Sequence, residues 1–390
     1  MKKLFKRLGQ FLLFVLIAAN LFILLTGRIY LYKGIWYTYL HGRSGPSATE
    51  YLIFNNREVK PGIAQPWAEA KDYNTKEIPG NLLDSMMKIE TGAFLIIQND
   101  SIRCEKYWGE FNDHSYTNSF SMAKTVVGIL VGCAIQDGKI KSVDEPVSDF
   151  IPEFKNDERS KVTIRNLLTM SSGINFDESY ANPLAYPAAS YYGSDLRKLT
   201  LSYNKLNATP GETFKYLSGN TQLLGFVLKQ ATGKSVADYA SEKLWIPMGC
   251  EHPAFWCLDH SDGDEKAFCC LNSNARDFAR IGKLVLDSGR WKGKQIISQE
   301  YAFQSVEPSG TKHADGTPTL DYGFCWWMIP QYQGHHIFYA RGILGQYIIM
   351  IPDMNMIIVR LGSKRLEGDG DAMPRDVHYY LDAALAMYGK

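Results

Sequence analysis

A continuous apolar segment near the start of this 390-residue chain limits its folding more than any other feature. The 20 residues from Leu8 to Gly27 carry no charged side chain. A helix of this length spans about 30 Å, which matches the hydrocarbon thickness of a bilayer. Because each unpaired backbone polar group is costly in lipid, such a segment crosses a membrane only as a helix. We therefore predict one N-terminal transmembrane helix.

The residues around the apolar segment favour an uncleaved signal-anchor, which we assign to residues 1–40. The basic start, Lys2-Lys3 and Lys6-Arg7, indicates a cytoplasmic N-terminus, with the rest of the chain on the extracytoplasmic side of the cell membrane. Aromatic residues typical of a membrane interface follow: Tyr30, Tyr32, Trp36, Tyr37 and Tyr39. A cleavable signal has a shorter apolar part that ends in small residues, whereas Ala18-Ala19 lies inside this one. A cleaved signal and a buried core helix are the alternatives.

The charge balance gives no support for a nucleic-acid-binding protein, and the cysteine spacing gives none for a metal site. Forty-two Lys and Arg residues oppose 41 Asp and Glu residues, so nothing favours a nucleic-acid partner electrostatically. The seven cysteines form no C-x-x-C pair and His335-His336 has no matching ligand spacing, so we expect no metal and no organic cofactor. An oxidising compartment would allow a disulfide between Cys250 and Cys257, but buried free thiols are the preferred interpretation.

The order of secondary-structure patterns predicts an α+β fold. Residues 41–80 are rich in proline, glycine and polar groups and are interpreted as an extended linker. Strand-like patterns then occur near both ends of residues 81–390, with helical patterns between them. We expect an antiparallel sheet flanked by helices, built from an α/β lobe of residues 81–138 and 271–390. Residues 139–270 would form an inserted helical lobe.

A candidate nucleophile comes from the S-x-x-K pattern, which occurs four times: Ser85/Lys88, Ser121/Lys124, Ser202/Lys205 and Ser309/Lys312. A serine hydroxyl needs a base within hydrogen-bonding reach, and positions i and i+3 of a helix share one face. A lysine is a base only where burial favours its neutral form.

Ser121 and Lys124 meet these demands, because they open a strongly apolar helical segment that ends near Gln136. Ser85 has Glu90 close by, and the other two pairs lie in loop-like segments. The alternative is that Ser121 only caps the helix while Lys124 extends its amine to solvent.

Three segments together resemble the serine β-lactamase-like family: Ser121-Met122-Ala123-Lys124, Phe214-Lys215-Tyr216-Leu217-Ser218-Gly219-Asn220-Thr221 and Ala340-Arg341-Gly342-Ile343-Leu344-Gly345-Gln346. The family includes class C β-lactamases, D-alanyl-D-alanine carboxypeptidases and family VIII carboxylesterases. The resemblance covers residues 80–390 and is strongest to the 6-aminohexanoate-dimer hydrolase branch. It implies a β-lactamase/transpeptidase-like fold.

The resemblance also implies roles for individual residues. Tyr216 would share proton transfer with Lys124, because a nearby ammonium makes a phenol more acidic. The family often has Tyr-x-Asn, whereas this chain has Ser218 in the third position and Asn220 two residues later. Ser218 or Asn220 would then support the site or bind substrate. The alternative for Tyr216 is that it is a tyrosine of the core without a catalytic role.

The third segment departs from the Lys-Thr-Gly of the penicillin-recognising relatives. Ala340 cannot hold a substrate carboxylate, and strand alternation would aim Arg341 away from the Ala340 face. Gly342 would let a substrate approach the strand closely. The N–H groups of Ser121 and Ile343 would form the oxyanion hole that the resemblance implies.

We therefore predict a membrane-bound serine hydrolase that cleaves small esters or amides, linear oligoamides included, through a Ser121 acyl-enzyme. The first alternative is a D,D-carboxypeptidase or β-lactamase that acts on cell-wall peptides or β-lactams. The second is a non-catalytic, membrane-tethered binding protein on the same scaffold.

Overall fold

The computed structural model describes residues 1–366 and 373–389. In this part of the chain the helices are α1 (Lys2–Leu25), α2 (Tyr30–Tyr37), α3 (Gly80–Lys88), α4 (Met122–Gln136), α5 (Ile164–Leu168), α6 (Tyr186–Tyr192), α7 (Leu196–Ser202), α8 (Ser218–Thr232), α9 (Val236–Ala240), α10 (Ala275–Leu286), α11 (Gln299–Ser305) and α12 (Val377–Tyr388). The strands are β1 (Asn56–Val59), β2 (Ala68–Glu69), β3 (Thr91–Gln98), β4 (Ser101–Tyr107), β5 (Thr117–Asn118), β6 (Ala254–Cys257), β7 (Leu271–Ser273), β8 (Arg290–Trp291), β9 (Lys294–Gln295), β10 (Trp327–Tyr332), β11 (His335–Gly342), β12 (Gln346–Ile351) and β13 (Met356–Gly362).

The main sheet joins strands from distant parts of the chain, as the order of patterns predicts. Its seven strands run β10-β11-β12-β13-β3-β4-β2, and all neighbours are antiparallel except β2 and β4. β3 and β4 come from the early part of the chain, whereas β10 to β13 come from its end. This mixed architecture of sheet and helices confirms the predicted α+β class.

Helices cover both faces of this sheet. α4 and α10 pack against one face, and α3 and α12 lie on the other. From Met122 to Ala134 every residue of α4 is buried. A helix that is apolar on all sides is stable only inside a core, so α4 is the central helix of the molecule. α8 packs along α4 and covers this side of the core.

The N-terminal helix α1 is exposed along its length, and Ile23 is its one buried residue. It is the one described helix that is long and apolar enough to cross a membrane. Because its apolar surface faces outward, the alternative of a buried core helix is wrong. The aromatic residues after it form the short helix α2, which packs against α6.

Some elements differ from the sequence-based expectation. The segment 41–80 contributes β1 and β2, which pair with β6 and β4. The strand-like pattern of residues Tyr322 to Ile329 predicts a strand from Tyr322 onward, but β10 begins at Trp327. Cys325 explains the difference, because its φ of 60° lies in the left-handed region and interrupts an extended backbone. The division of residues 81–390 into two lobes stays a prediction.

The cysteines also depart from one expectation. Cys250 and Cys257 are buried free thiols, as preferred, and form no bond with each other. The disulfide joins the neighbouring residues Cys269 and Cys270 instead. Adjacent cysteines close no loop that would stabilise a fold, so their spacing in the sequence does not predict a disulfide.

Candidate active site

The Ser121–Lys124 pair lies where the sequence predicts it, at the buried start of α4. The Lys124 ammonium donates to the Ser121 hydroxyl over 2.8 Å and to the Phe268 carbonyl over 2.9 Å. Lys124 is 1% exposed. Two hydrogen bonds in a dry environment therefore hold the amine against the hydroxyl, and the neutral amine in this position could accept the serine proton.

The turn before the nucleophile is locally unusual. Phe120 has a φ of 44°, a left-handed conformation that is rare for a bulky residue. The Asn118 carboxamide accepts from the Phe120 N–H over 2.8 Å and supports the turn. Such a conformation persists only when its surroundings enforce it, and it often marks a functional site.

The other three S-x-x-K serines bond elsewhere. Ser85 donates to the Asn81 carbonyl and Ser202 to the Leu199 carbonyl. Ser309 shares a hydrogen bond with Thr311. Within the described residues, Ser121 is thus the serine of the four that contacts its own lysine.

Tyr216 is brought to this pair from 95 residues away. Its ring centroid lies 5.1 Å from the Lys124 Nζ, and the ring packs against Trp327 at 5.2 Å and Tyr322 at 6.0 Å. In the part of the chain that the structure describes, its hydroxyl bonds neither to Ser121 nor to Lys124. The arrangement supplies proximity, and proton exchange requires a small movement of either side chain or a bridging water.

Ser218 and Asn220 have different surroundings. Ser218 lines the cavity above Ser121, and its N–H and hydroxyl donate to Glu178 over 2.8 and 2.5 Å. Asn220 is fully buried and accepts from the Ser172 hydroxyl over 2.6 Å. Asn220 therefore lies behind the site rather than facing a substrate.

Sequence reasoning missed Glu178, which accepts from Ser218 and also from the Tyr180 hydroxyl over 3.2 Å. It lies in a loop without a recognisable motif. Its carboxylate fixes the Ser218 side chain, so a serine at this position is held by a partner that the sequence pattern does not reveal.

The strand β11 approaches the nucleophile through backbone contacts. A Cβ on Gly342 would lie 2.2 Å from the Ser119 carbonyl oxygen. Glycine is thus required for contact between β11 and the turn before Ser121, and its role in the approach of a substrate stays a prediction. Among the described residues, the pairing of β10 with β11 extends as far as Tyr339.

Two N–H groups are available beside Ser121. Within residues 1–366 and 373–389, neither the Ser121 N–H nor the Ile343 N–H donates to a protein acceptor. Both residues line the same cavity. Unpaired N–H groups at a helix start favour a developing negative charge, so the pair is suited to an oxyanion.

The cavity above Ser121 has a volume of about 180 Å³ and is mostly aromatic and aliphatic. It lies between α2, α6 and the loop before α6. Its lining is Tyr30, Leu31, Gly34, Ile35, Thr38, Tyr39, Ser44, Gly45, Pro46, Phe120, Ser121, Tyr180, Ala181, Pro183, Pro187, Ala188, Tyr191, Tyr192, Ser218, Phe268, Cys269 and Ile343. Among these described residues none is charged, so the cavity suits an uncharged group.

Arg341 directly follows Ala340, which stands at the position of the missing lysine. Its guanidinium lies over the Trp327 ring at 3.7 Å, and it is not part of the cavity lining. Elsewhere in the described residues, no group of three or more His, Cys, Asp or Glu side chains is placed to hold a metal ion.

Residues 80–381 match the family model described as Beta-lactamase, which covers most of the chain. The chain belongs to the β-lactamase family. Its members have a β-lactamase fold and are serine hydrolases, with amidases, esterases and penicillin-binding proteins among the relatives. The family resemblance inferred from the three sequence segments is therefore confirmed.

Individual relatives agree with this assignment. The chain is 26% identical over 289 residues to a 6-aminohexanoate-dimer hydrolase of Paenarthrobacter ureafaciens, covering 70% of this chain and 72% of the relative. A solved Bacillus anthracis structure, described as a candidate 6-aminohexanoate-dimer hydrolase, has 24% identity and a TM-score of 0.74 over 88% of this chain and 94% of that one. The structure of a family VIII carboxylesterase has 17% identity and a TM-score of 0.62, covering 83% of this chain and 99% of that one. The two structures show the shared fold.

Proposed function

We propose that this chain is a membrane-anchored serine hydrolase that cleaves an ester or amide through a Ser121 acyl-enzyme. The observation that carries the proposal is the 2.8 Å contact between the buried Lys124 amine and the Ser121 hydroxyl, at the base of an open cavity. Small esters and amides are the substrate class, and the similarity to a 6-aminohexanoate-dimer hydrolase supports linear oligoamides among them.

The reaction would proceed in two halves. Ser121 Oγ attacks the substrate carbonyl carbon, and its proton passes to Lys124 or Tyr216. The N–H groups of Ser121 and Ile343 stabilise the negative oxygen of the tetrahedral intermediate. The same proton then reaches the leaving alcohol or amine, and the acyl group stays on Ser121. A water molecule next loses a proton to the same groups, attacks the acyl carbonyl and releases the acid and the free serine.

Membrane attachment rests on α1, a 24-residue helix that is largely apolar and largely exposed. The basic residues in its first two turns favour a cytoplasmic N-terminus, which would put the catalytic part on the extracytoplasmic side. The packing of α2 against α6 supports a function in which the segment after the anchor stays attached to the catalytic part.

The cavity favours this proposal over a D,D-peptidase or a β-lactamase. Both of those substrates carry a carboxylate that needs a cationic partner, and the described lining offers none. Ala340 stands where the penicillin-recognising relatives have lysine. A carboxylate would therefore lose its hydration in this cavity without compensation.

The experiment compares ester turnover with penicillin labelling. The full chain should hydrolyse p-nitrophenyl esters, and a fluorescent penicillin should label it little. Ser121→Ala should lose turnover, whereas Ser85→Ala, which alters another S-x-x-K serine, should keep it. Stoichiometric penicillin labelling without ester turnover would favour the peptidase, and the absence of both turnover and labelling would support the non-catalytic alternative. Full turnover by Ser121→Ala would rule out Ser121 as the nucleophile.

A further inference from the structure

The helix that follows the membrane anchor forms one wall of the active-site cavity. Leu31, Gly34 and Ile35 of α2 line the same cavity as Ser121. Only four residues separate the end of α1 from the start of α2. Since α2 is about 12 Å long, the cavity lies within roughly that distance of the end of the apolar helix.

Contacts fix α2 to the catalytic part at this place. The Tyr30 hydroxyl donates to the Pro183 carbonyl over 3.1 Å, and the Arg28 guanidinium donates to the Leu184 carbonyl over 3.4 Å. An added Cβ on Gly34 would lie 3.3 Å from the Tyr192 ring of α6, so the two helices touch closely. The wall is therefore built by specific contacts and belongs to the cavity.

The two faces of this segment have different surroundings. Trp36 and Leu40 point outward and are 56% and 65% exposed. Exposed aromatic and aliphatic groups directly after an apolar helix are typical of a membrane interface. Ile35 lines the cavity while 42% exposed, so it lies at the cavity opening, next in sequence to the exposed Trp36. An apolar path thus leads from the membrane-facing surface past Ile35 towards Ser121.

We propose that the substrate is an ester or amide with a long aliphatic acyl chain, taken directly from the lipid bilayer. The acyl chain would enter past Ile35 and lie in the cavity that α2 and α6 line, because the described lining is uncharged and mostly apolar. This substrate class rests on the proposed function of Ser121.

The reaction on such a lipid keeps the same balance of atoms. The bond between the acyl carbonyl carbon and the leaving oxygen or nitrogen breaks, and the acyl carbon bonds to Ser121 Oγ. The serine proton reaches the leaving group, which departs as an alcohol or amine. Water then attacks the acyl carbonyl carbon, breaks its bond to Ser121 Oγ and yields the fatty acid, so no oxidant or further reactant is needed.

The test uses the full chain in phosphatidylcholine bilayer discs. It measures kcat/KM for p-nitrophenyl octanoate and for p-nitrophenyl acetate, and compares the two as the ratio of octanoate to acetate. Each methylene that leaves water contributes up to about a fourfold gain, so the ratio should be about tenfold or more. Leu31→Trp fills the cavity and should lower the ratio by about tenfold. Ile29→Trp is the matched control, because Ile29 is exposed and lies outside the cavity lining.

Ala188→Trp fills the opposite wall and should lower the ratio in the same way, which covers the case in which Leu31→Trp fails to fold. A ratio near one in the unmodified chain, or an unchanged ratio in the folded tryptophan variants, would overturn the substrate class. A monoacylglycerol in the same discs should release fatty acid only when Ser121 is present. If Ser121→Ala still hydrolyses acetate, the proposed function itself fails, and that outcome is distinct from a lost chain-length preference.

Discussion

At the scale of single residues, the site depends on the contact between the Lys124 amine and the Ser121 hydroxyl in a buried environment. Lys124 has two acceptors, the Ser121 hydroxyl and the Phe268 carbonyl. In the proposed reaction, the Phe268 carbonyl would keep the amine in place when the serine leaves it to attack a substrate. The backbone around residue 268 is thus part of the support for the nucleophile, although no sequence motif marks it.

Replacing Tyr216 tests the phenol directly. Tyr216→Phe keeps the ring beside the ammonium and removes the hydroxyl, so kcat should fall by about 10²- to 10⁴-fold with little change in KM. Tyr322→Phe removes the hydroxyl of a neighbouring ring and is the control, with kcat expected within a factor of about three. Steady-state ester hydrolysis measures both, and unchanged kcat in Tyr216→Phe would remove the phenol from proton transfer.

A second residue-scale prediction concerns Lys266, which is fully buried and donates to the Leu258 carbonyl over 2.7 Å. Burial lowers the pKa of Lys266 to about 8. Between pH 8 and about 10.5 the unfolded chain holds more protons than the folded one, so this group makes the free energy of unfolding rise with pH. Below pH 8 Lys266 is mostly charged in the folded chain, and burying that charge lowers the free energy of unfolding most in this range.

Lys266→Met should therefore be more stable than the unmodified protein at pH 7, by about 1–3 kcal/mol. The difference should shrink as the pH rises towards 10.5. The exposed Lys139→Met should show no such difference. Denaturant unfolding at several pH values measures this, and parallel stability profiles for Lys266→Met and the unmodified protein would contradict it.

At the scale of elements, the contact between β11 and the turn before α4 aligns the two halves of the site. Gly342 has an extended backbone, with φ of −129°, so its role comes from contact and not from conformational freedom. The end of β11 then lies next to the turn before Ser121, with Ile343 beside Ser121 in the cavity wall.

Gly342→Ala should separate these elements. Its Cβ would meet the Ser119 carbonyl oxygen at 2.2 Å, and backbone must shift to make room. We expect a loss of about 1–3 kcal/mol in unfolding free energy and about a tenfold or larger drop in kcat/KM. Gly80→Ala is the control, because no atom lies within 4 Å of its added Cβ. Wild-type kcat/KM in Gly342→Ala would show that this contact does not align the site.

Elements with one strong periodic pattern were predictable from sequence. α4 lies within one residue of its expected bounds, Ser121 to Gln136, because a continuous apolar pattern specifies a buried helix. The short helix α2 was missed, since its aromatic residues were explained by the membrane interface alone. β1 and β2 were missed because pairing with distant strands, and not local pattern, makes them strands.

The candidate site was predictable to a similar extent. Ser121 and Lys124 share one helix, so spacing alone brings them together. Glu178 could not be found, because its contact with Ser218 depends on how a loop folds over the cavity. Asn220 seemed equivalent to Ser218 in the motif, but the first turns of α8 direct it towards Ser172.

At the scale of the whole molecule, the apolar α1 and the catalytic part form one continuous arrangement through α2. The full chain should therefore stay with the membranes after an alkaline wash and enter solution only with detergent. Immunoblotting of the fractions measures this. Release by the alkaline wash alone, or a mature chain that begins after Gly27, would contradict membrane anchoring.

Labelling with a fluorophosphonate tests the central claim most directly, because the reagent modifies an activated serine hydroxyl. Mass spectrometry of the intact protein should show one adduct, and peptide mapping should locate it on the peptide that contains Ser121. Ser85→Ala should be labelled to the same extent, whereas Ser121→Ala should not be labelled. An adduct that persists in Ser121→Ala, or that maps to a peptide without Ser121, would contradict the assignment of the nucleophile.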